Sequence, residues 1–342
     1  MTEAINSAID EQTVSIVKGA LVPDCITVYS VVRNEMYFLP AFLEHYRQLG
    51  IKQFLFLDDR SDDGTFEYLC SQPDCVVAGS ALRYGERING QRAGHAWKSS
   101  MPHKYLLGRW AICADADEFL FIPPQFATFD EFTVVLDERS ISAVAAAMVD
   151  FYPTTLNELE TNPPPLNKME LFSSYPWFDA GPYFKWSWFS KKPIVLDGGV
   201  RERLWLKHGI SKRGYFKSGL NLAAHRLKRL VVGDRNINSI GKVPLVKWSA
   251  DKFYLHSHTL NKQPDRSVVL PIAHFKFTSY LAKKIEMAVA SRAHAGGSRA
   301  YFAYADLLAA MRGGDQSFLG PKSVKFTGVE DFAANGLLKF DP

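Results

Sequence analysis

The stretch "WAICADADEFLFIPP" (110–124) sets three carboxylates, Asp115, Asp117 and Glu118, between two strongly apolar runs. Buried acids are costly unless they are paired or hold a metal. Asp115 and Asp117 lie two residues apart, so an extended backbone projects both to one side. Carboxylates that close repel each other unless a cation sits between them. Mg2+ or Mn2+ accepts such oxygens and keeps open positions for phosphate. The chemistry this spacing suggests is a divalent ion, Mn2+ or Mg2+, bridging the chain to a diphosphate. An acidic turn capping the next segment would use the same residue types.

A second polar cluster, "DDRSDDGT" (58–65), also ends an apolar run. Asp58 and Asp59 can accept from a ribose hydroxyl or a base N–H, while Ser61, Gly64 and Thr65 suit a tight turn into a helix. A plain strand–turn–helix connection has the same composition. Arg33 and Glu35 follow a further apolar run. Arg33 can reach a phosphate as a fork donor, or the two can form an exposed pair worth ~0–1 kcal/mol. His256 and His258 share a face of one late strand, and His274 lies on another. Three histidines near strand ends can complete a metal shell, touch phosphate or form a zinc site. No water-activating carboxylate is evident beside them, which ranks zinc second. Lys276, in "HFKF", is a candidate diphosphate contact.

The elements that must position these groups follow from hydropathy. "CITVYSVV" (25–32), "QFLFL" (53–57), "CVVAG", "GRWAIC" (108–113) and "ISAVAAAMV" (141–149) read as buried strands. Leu39, Phe42, Leu43, Tyr46 and Leu49 recur at helical spacing, with Pro40 near the start and Gly50 past the end. "FEYLC" predicts another helix. Short apolar strands alternating with helices predict an α/β fold, Rossmann-like, with a mostly parallel central sheet and helices on both faces. Ligands of such sheets bind beyond the carboxyl ends of the strands. "RNE", "DDRSDDGT" and "DADE" all fall at such ends. "VPLVKW", "KFYLHSH" and "IAHFKF" predict later strands, and the pattern turns helical from about residue 279. The expected organisation is a weakly structured 1–24, one domain over 25–278 with a nucleotide half (25–125) and an acceptor half (126–278), and a helical C-terminal extension (279–342).

Bulk composition excludes several classes. The 342 residues are 47% hydrophobic and 22% charged, as in an ordinary globular protein. A net charge of +4 gives no reason to expect nucleic acid. The cysteines, Cys25, Cys70, Cys75 and Cys113, form no CxxC pair and suit a reducing compartment. No leader opens the sequence, and the apolar runs are shorter than the ~20 residues of a membrane helix. A cytoplasmic location follows as the expectation. Lys283, Lys284 and Arg292 can lie on the inner face of a membrane as a peripheral contact, or form a solvated helix face. Aromatic residues crowd 172–189, as a packed core or a sugar-stacking surface.

Taken together, "RNE…FLPAFLEHYRQLGIKQFLFLDDRSDDGT" and "WAICADADEFL" resemble the opening and D-x-D-E-F blocks of the GT-A glycosyltransferases, in their family 2-like group related to family 92. "VDFYP", "FDAGPY", "GGVRERLW", "KVPLVKW" and "HFKF" are similar to later blocks of bacterial members. The resemblance implies a GT-A fold and an inverting, metal-dependent transfer of sugar from a nucleotide sugar, a UDP-sugar first among them. The acceptor would be a saccharide or lipid-linked hydroxyl, in cell-surface polysaccharide synthesis. It assigns Arg33, Glu35, Asp58, Asp59, Ser61, Arg92, Asp115 and Lys276 to the nucleotide sugar. Asp115 and Asp117 would hold the metal, with His258 or His274 serving it from the far side. Lys98 and Ser99 stand where relatives often carry another polar pair. A carboxylate would deprotonate the acceptor hydroxyl. The candidates are Asp150, Asp179 and Glu202, with Asp179 preferred because Trp177, Tyr183 and Trp186 surround it. A nucleotidyltransferase is the rival enzyme, although "RNEMYFLP" lacks its glycine-rich loop. A non-catalytic protein that binds nucleotide sugars is the rival from another class.

Overall fold

The computed structural model describes residues 14–88, 90–181, 184–186, 193–195, 198–210, 241–291 and 295–341. Tyr183 and the Trp186 side chain, invoked above beside Asp179, lie outside the described residues, as does Arg292.

The apolar runs become strands of one sheet. Across it lie β1 (Val14–Lys18), β4 (Cys75–Ser80), β3 (Gln53–Asp58), β2 (Thr27–Val32), β5 (Trp110–Cys113), β8 (Gly241–Lys247), β7 (Ala143–Asp150), β9 (Asp265–His274) and β10 (Lys339–Phe340). A short β6 (Glu118–Leu120) also pairs with β9. Strands β4, β3, β2 and β5 are mutually parallel neighbours, and β7 is parallel to β9. Strand β8 lies antiparallel between β5 and β7, so β7 and β9 keep the direction of the first four. Six strands therefore end on one rim.

Strands β3 and β7 are buried along their whole length, as a sheet covered on both faces requires. Phe54 and Phe56 face one core, shared with Leu39, Phe42 and Tyr46 of α1 (Leu39–Gln48) and Phe129, Phe132 and Leu136 of α4 (Phe129–Glu138). Leu55 and Leu57 face the other, against Ala93, Trp97 and Met101 of α3 (Ala93–Tyr105). Alternate side chains of one strand thus feed two cores, each buried Phe or Leu contributing ~1.5–3 kcal/mol. The helix α2 (Thr65–Ser71) begins at Gly64, whose φ of 90° a side chain would strain. A third cluster joins α5 (Gly199–Lys207), α6 (Leu281–Ser291) and α7 (Ala295–Arg312) through Val200, Leu204, Leu281, Tyr304 and Leu307.

The fold is mixed α/β, Rossmann-like, with C-terminal helices. Two ends are more ordered than their sequences suggest. Val14–Lys18 adds an antiparallel edge to β4. Beyond α7, Ser323–Lys325 pairs with Trp177–Asp179, and β10 covers the edge of β9. Exposed sheet edges favour such covering, and the segments are too short to show a period. Among the described residues no helix is long and apolar enough to cross a membrane.

Candidate functional site

The sheet register builds the site. Asp150, the last residue of β7, pairs with His274, the last of β9, and His274 pairs on its other side with Glu118 of β6. The Phe275 amide donates to the Asp117 carbonyl at 2.9 Å. Asp117, His274 and Asp150 are therefore brought together by backbone pairing, before any side chain is considered.

Asp115 to Glu118 form a tight turn. The Glu118 amide donates to the Asp115 carbonyl at 2.9 Å, and Glu118 Oε2 accepts from the Asp115 amide at 2.9 Å. Lysines meet the acids. Lys98, on α3, lies 2.8 Å from Asp115 Oδ1. Lys242, at the head of β8 and fully buried, pairs with Glu118 and stands 3.8 Å from Asp115 Oδ2. Lys284, on α6, lies 3.1 Å from Asp117 Oδ2 and 3.2 Å from Glu35 Oε2. Burial alone would push the Asp115 carboxyl up. Lys242 and Lys98 outweigh it and hold the carboxyl well below the ordinary range, with His258 adding to the pull. Asp117 is likewise driven down, against burial, by Lys284, His274 and Lys276. The repulsion inferred between the two aspartates is thus relieved in part by ammonium groups. Asp115 keeps 38% of its side chain exposed, against 8% for Asp117, so it is the acid that opens to solvent.

The first two strand ends are stitched to each other. Ser61 donates through its hydroxyl and amide to Asp58, at 2.6 and 3.1 Å, and Ser61 Oγ accepts from the Asn34 amide. Asn34 and Asp62 exchange two hydrogen bonds, and Thr65 Oγ1 accepts from the Glu35 amide. Asn34 and Arg60 both sit in the left-handed region, at φ 56° and 57°, a conformation that these bonds help to hold. Asp58 and Ser61 are therefore engaged in shaping the loop. Asp59 is different. It is buried, its Oδ2 accepts from the Tyr84 amide at 3.2 Å and faces Arg33 at 3.7 Å, yet its Oδ1 has no hydrogen-bond partner among the described residues. Burial pushes its carboxyl up, opposed by the Tyr84 amide and Arg33. Glu35 is pushed up to about 7 by burial, against Lys284, with Asp117 and Asp115 adding to the rise. Arg92 is the half-buried residue preceding α3.

At the far side, His274 Nδ1 lies 2.6 Å from Asp150 Oδ1, and Arg201 of α5 grips the same carboxylate with two nitrogens. Arg201 Nη2 also lies 3.0 Å from Nδ1. Nδ1 is thereby engaged by both Asp150 and Arg201, which fix the ring's orientation. Nε2 is then turned to Asp117 Oδ2, at 3.8 Å. A carboxylate behind the ring and a second ligand atom before it is the arrangement in which a histidine holds a metal. Among the described residues no three His, Cys, Asp or Glu side chains gather as a metal shell. Asp117 and His274 supply an oxygen and a nitrogen of the types a divalent ion accepts. His258, in the turn between Tyr254–His256 and Thr259–Leu260, acts instead on Asp115.

Of the three candidate bases, Asp150 and Asp179 are held by arginines. Asp179 accepts from Arg203 at 2.8 and 2.9 Å and from the Tyr152 hydroxyl. Asp150 is held by Arg201 and His274. A bidentate arginine grips each of the two, an anchoring arrangement. Asp179, the base preferred from sequence, is thus held by Arg203 and Tyr152. Glu202 is carried half-buried on α5 between the two arginines. Lys276 lies 4.7 Å from the Tyr301 ring centroid and is pushed up, against burial, by Tyr301 and Asp117. Sequence reasoning gave Lys242 and Arg201 no role. One signal was present: a lysine heading the apolar strand "GKVPLVK" must find a buried acid.

No protein-family model and no curated protein matches the chain. Among solved structures, one titled as UDP-glucose pyrophosphorylase complexed with UDP-glucose is similar to part of it. That similarity has 10% identity and a TM-score of 0.24, over 51% of this chain and 70% of the other. So loose a likeness carries no weight for the activity.

Proposed function

We propose that the rim binds a nucleotide sugar, a UDP-sugar first among candidates, and transfers its sugar with inversion to a hydroxyl acceptor, a saccharide or lipid-linked one. The observation that carries this is the facing pair of Asp117 Oδ2 and His274 Nε2, 3.8 Å apart, beside the half-open Asp115. Asp59 supports it from the other end of the rim, since its buried Oδ1 meets no donor among the described residues, and a base N–H or ribose hydroxyl would supply one.

Asp117 and His274 would hold Mn2+ or Mg2+, with Asp150 and Arg201 orienting the ring. When bound, the ion acts as a Lewis acid for the departing diphosphate. Arg33, whose side chain is 41% exposed, and Lys276 offer further positive charge to phosphate. Asp59 fixes the nucleoside, and Asp115 faces the space where the donor enters. Developing oxocarbenium character at the sugar would be favoured by the acids around it. Glu202, on the same helix as Arg201 and Arg203, is the candidate base that would take the acceptor's proton.

The test incubates the protein with Mn2+ and a panel of nucleotide sugars and follows nucleoside diphosphate release. Release by the wild type, lost in Asp117→Asn, supports the assignment. Glu202→Gln should keep donor binding and lose transfer. Pyrophosphate release from a nucleoside triphosphate and a sugar phosphate would move the protein to the nucleotidyltransferases. Binding without release, with acceptors supplied, would leave a non-catalytic binder.

A further inference from the structure

Lys284 stands where the proposed ion has to act. Its ammonium is 3.1 Å from Asp117 Oδ2, the same oxygen that faces His274 Nε2. An ammonium and a divalent ion on one carboxylate oxygen repel strongly in a half-buried site. The lysine has more than one partner. Its second contact is Glu35 Oε2, 3.2 Å away, an oxygen with no aligned hydrogen-bond donor among the described residues. Its ammonium also lies 4.9 and 5.7 Å from the centroids of the Phe38 and Tyr280 rings, whose faces attract a cation whether or not Asp117 holds it. Lys276 is near enough to feel both Asp117 and Lys284, so a diphosphate arriving there would meet two ammonium groups.

We propose that Lys284 is an internal placeholder cation: it occupies Asp117 Oδ2 in the empty site and transfers to the donor's diphosphate, yielding that oxygen to the divalent ion. This rests on the metal and nucleotide assignment above and deepens it. Metal and nucleotide then bind with positive coupling, because the diphosphate removes the competitor for the metal's carboxylate. By linkage the coupling is reciprocal. It also places α6 and its neighbours under control of the donor, since the lysine tethers that helix to the rim.

The experiment titrates Mn2+ into the full chain, reading free Mn2+ by electron paramagnetic resonance, with and without UDP. In the wild type, UDP should tighten Mn2+ about tenfold or more. Lys284→Met should bind Mn2+ alone about tenfold more tightly than wild type. It should also bind UDP more weakly and lose most of the coupling. Lys284→Gln, which keeps a polar tip without the charge, should behave alike and serves if the Met variant is poorly folded. Lys283→Met, one residue away and exposed, should match wild type. The proposal is overturned if wild type shows UDP-dependent Mn2+ binding while both Lys284 variants take up Mn2+ alone no better than it does. Absence of Mn2+ binding by wild type even with UDP would instead overturn the metal assignment itself.

Discussion

Replacing Asp150 by asparagine isolates the group behind His274. The carboxylate is 4% exposed, and burial alone would raise its pKa; Arg201 and His274 bring it to about 2. Relative to an ordinary aspartate at 3.8, that corresponds to about 2.5 kcal/mol favouring the ionised form in the fold. Asparagine keeps the shape and one acceptor but removes the charge, and it strands the Arg201 guanidinium, only 12% exposed. Breaking such a pair costs about 3–5 kcal/mol. Asp150→Asn should therefore lower unfolding free energy by about 3 kcal/mol in urea titrations. Arg201→Met combined with it should cost less than the two single changes together. If Asp150 also orients the ring, Mn2+ affinity measured with UDP below the unfolding transition should fall about 10–100-fold. Stability within 0.5 kcal/mol of wild type, together with unchanged Mn2+ affinity, would refute both the ion pair's weight and its positioning role.

Three further outcomes are expected. His45 is buried with Nε2 at 2.8 Å from the Leu120 carbonyl; burial, then Lys168, lower its pKa to about 3. Below pH 6.5 the unfolded chain binds a proton that the folded one refuses, so stability should fall as pH drops from 6.5 toward 3, by about 2 kcal/mol at pH 5. A His45→Gln variant that keeps the same dependence would contradict this. Gly94→Ala places a methyl 2.0 Å from the Tyr84 ring, and should cost about 1–3 kcal/mol in thermal melts while loosening the amide that Asp59 accepts. Asp59→Asn should weaken UDP binding about tenfold or more by calorimetry with little change in melting; equal affinity would remove Asp59 from the nucleotide site.

How far the sequence reaches is clearest in particular residues. Phe54, Leu55, Phe56 and Leu57 announce a strand buried on both faces because period and side-chain type are local properties. Pro40 and Gly50 bracket α1 for the same reason. The acids at strand ends were legible too, since a carboxylate beside apolar residues demands a partner wherever the chain goes. Which partner it finds is not local. Lys98, Lys242 and Lys284 reach the "DADE" turn from 17, 124 and 167 residues away in sequence, and only the pairing of β6, β7 and β9 sets His274 rather than His258 against Asp117. Asp150 and Asp179 carry the same chemistry as isolated residues; the arginines of α5 turn both into anchors. Composition and periodicity thus determined the sheet and the kind of charge at its rim. The tertiary structure decided how those charges pair, because Coulomb energy depends on distance in space and short sequence patterns do not record it.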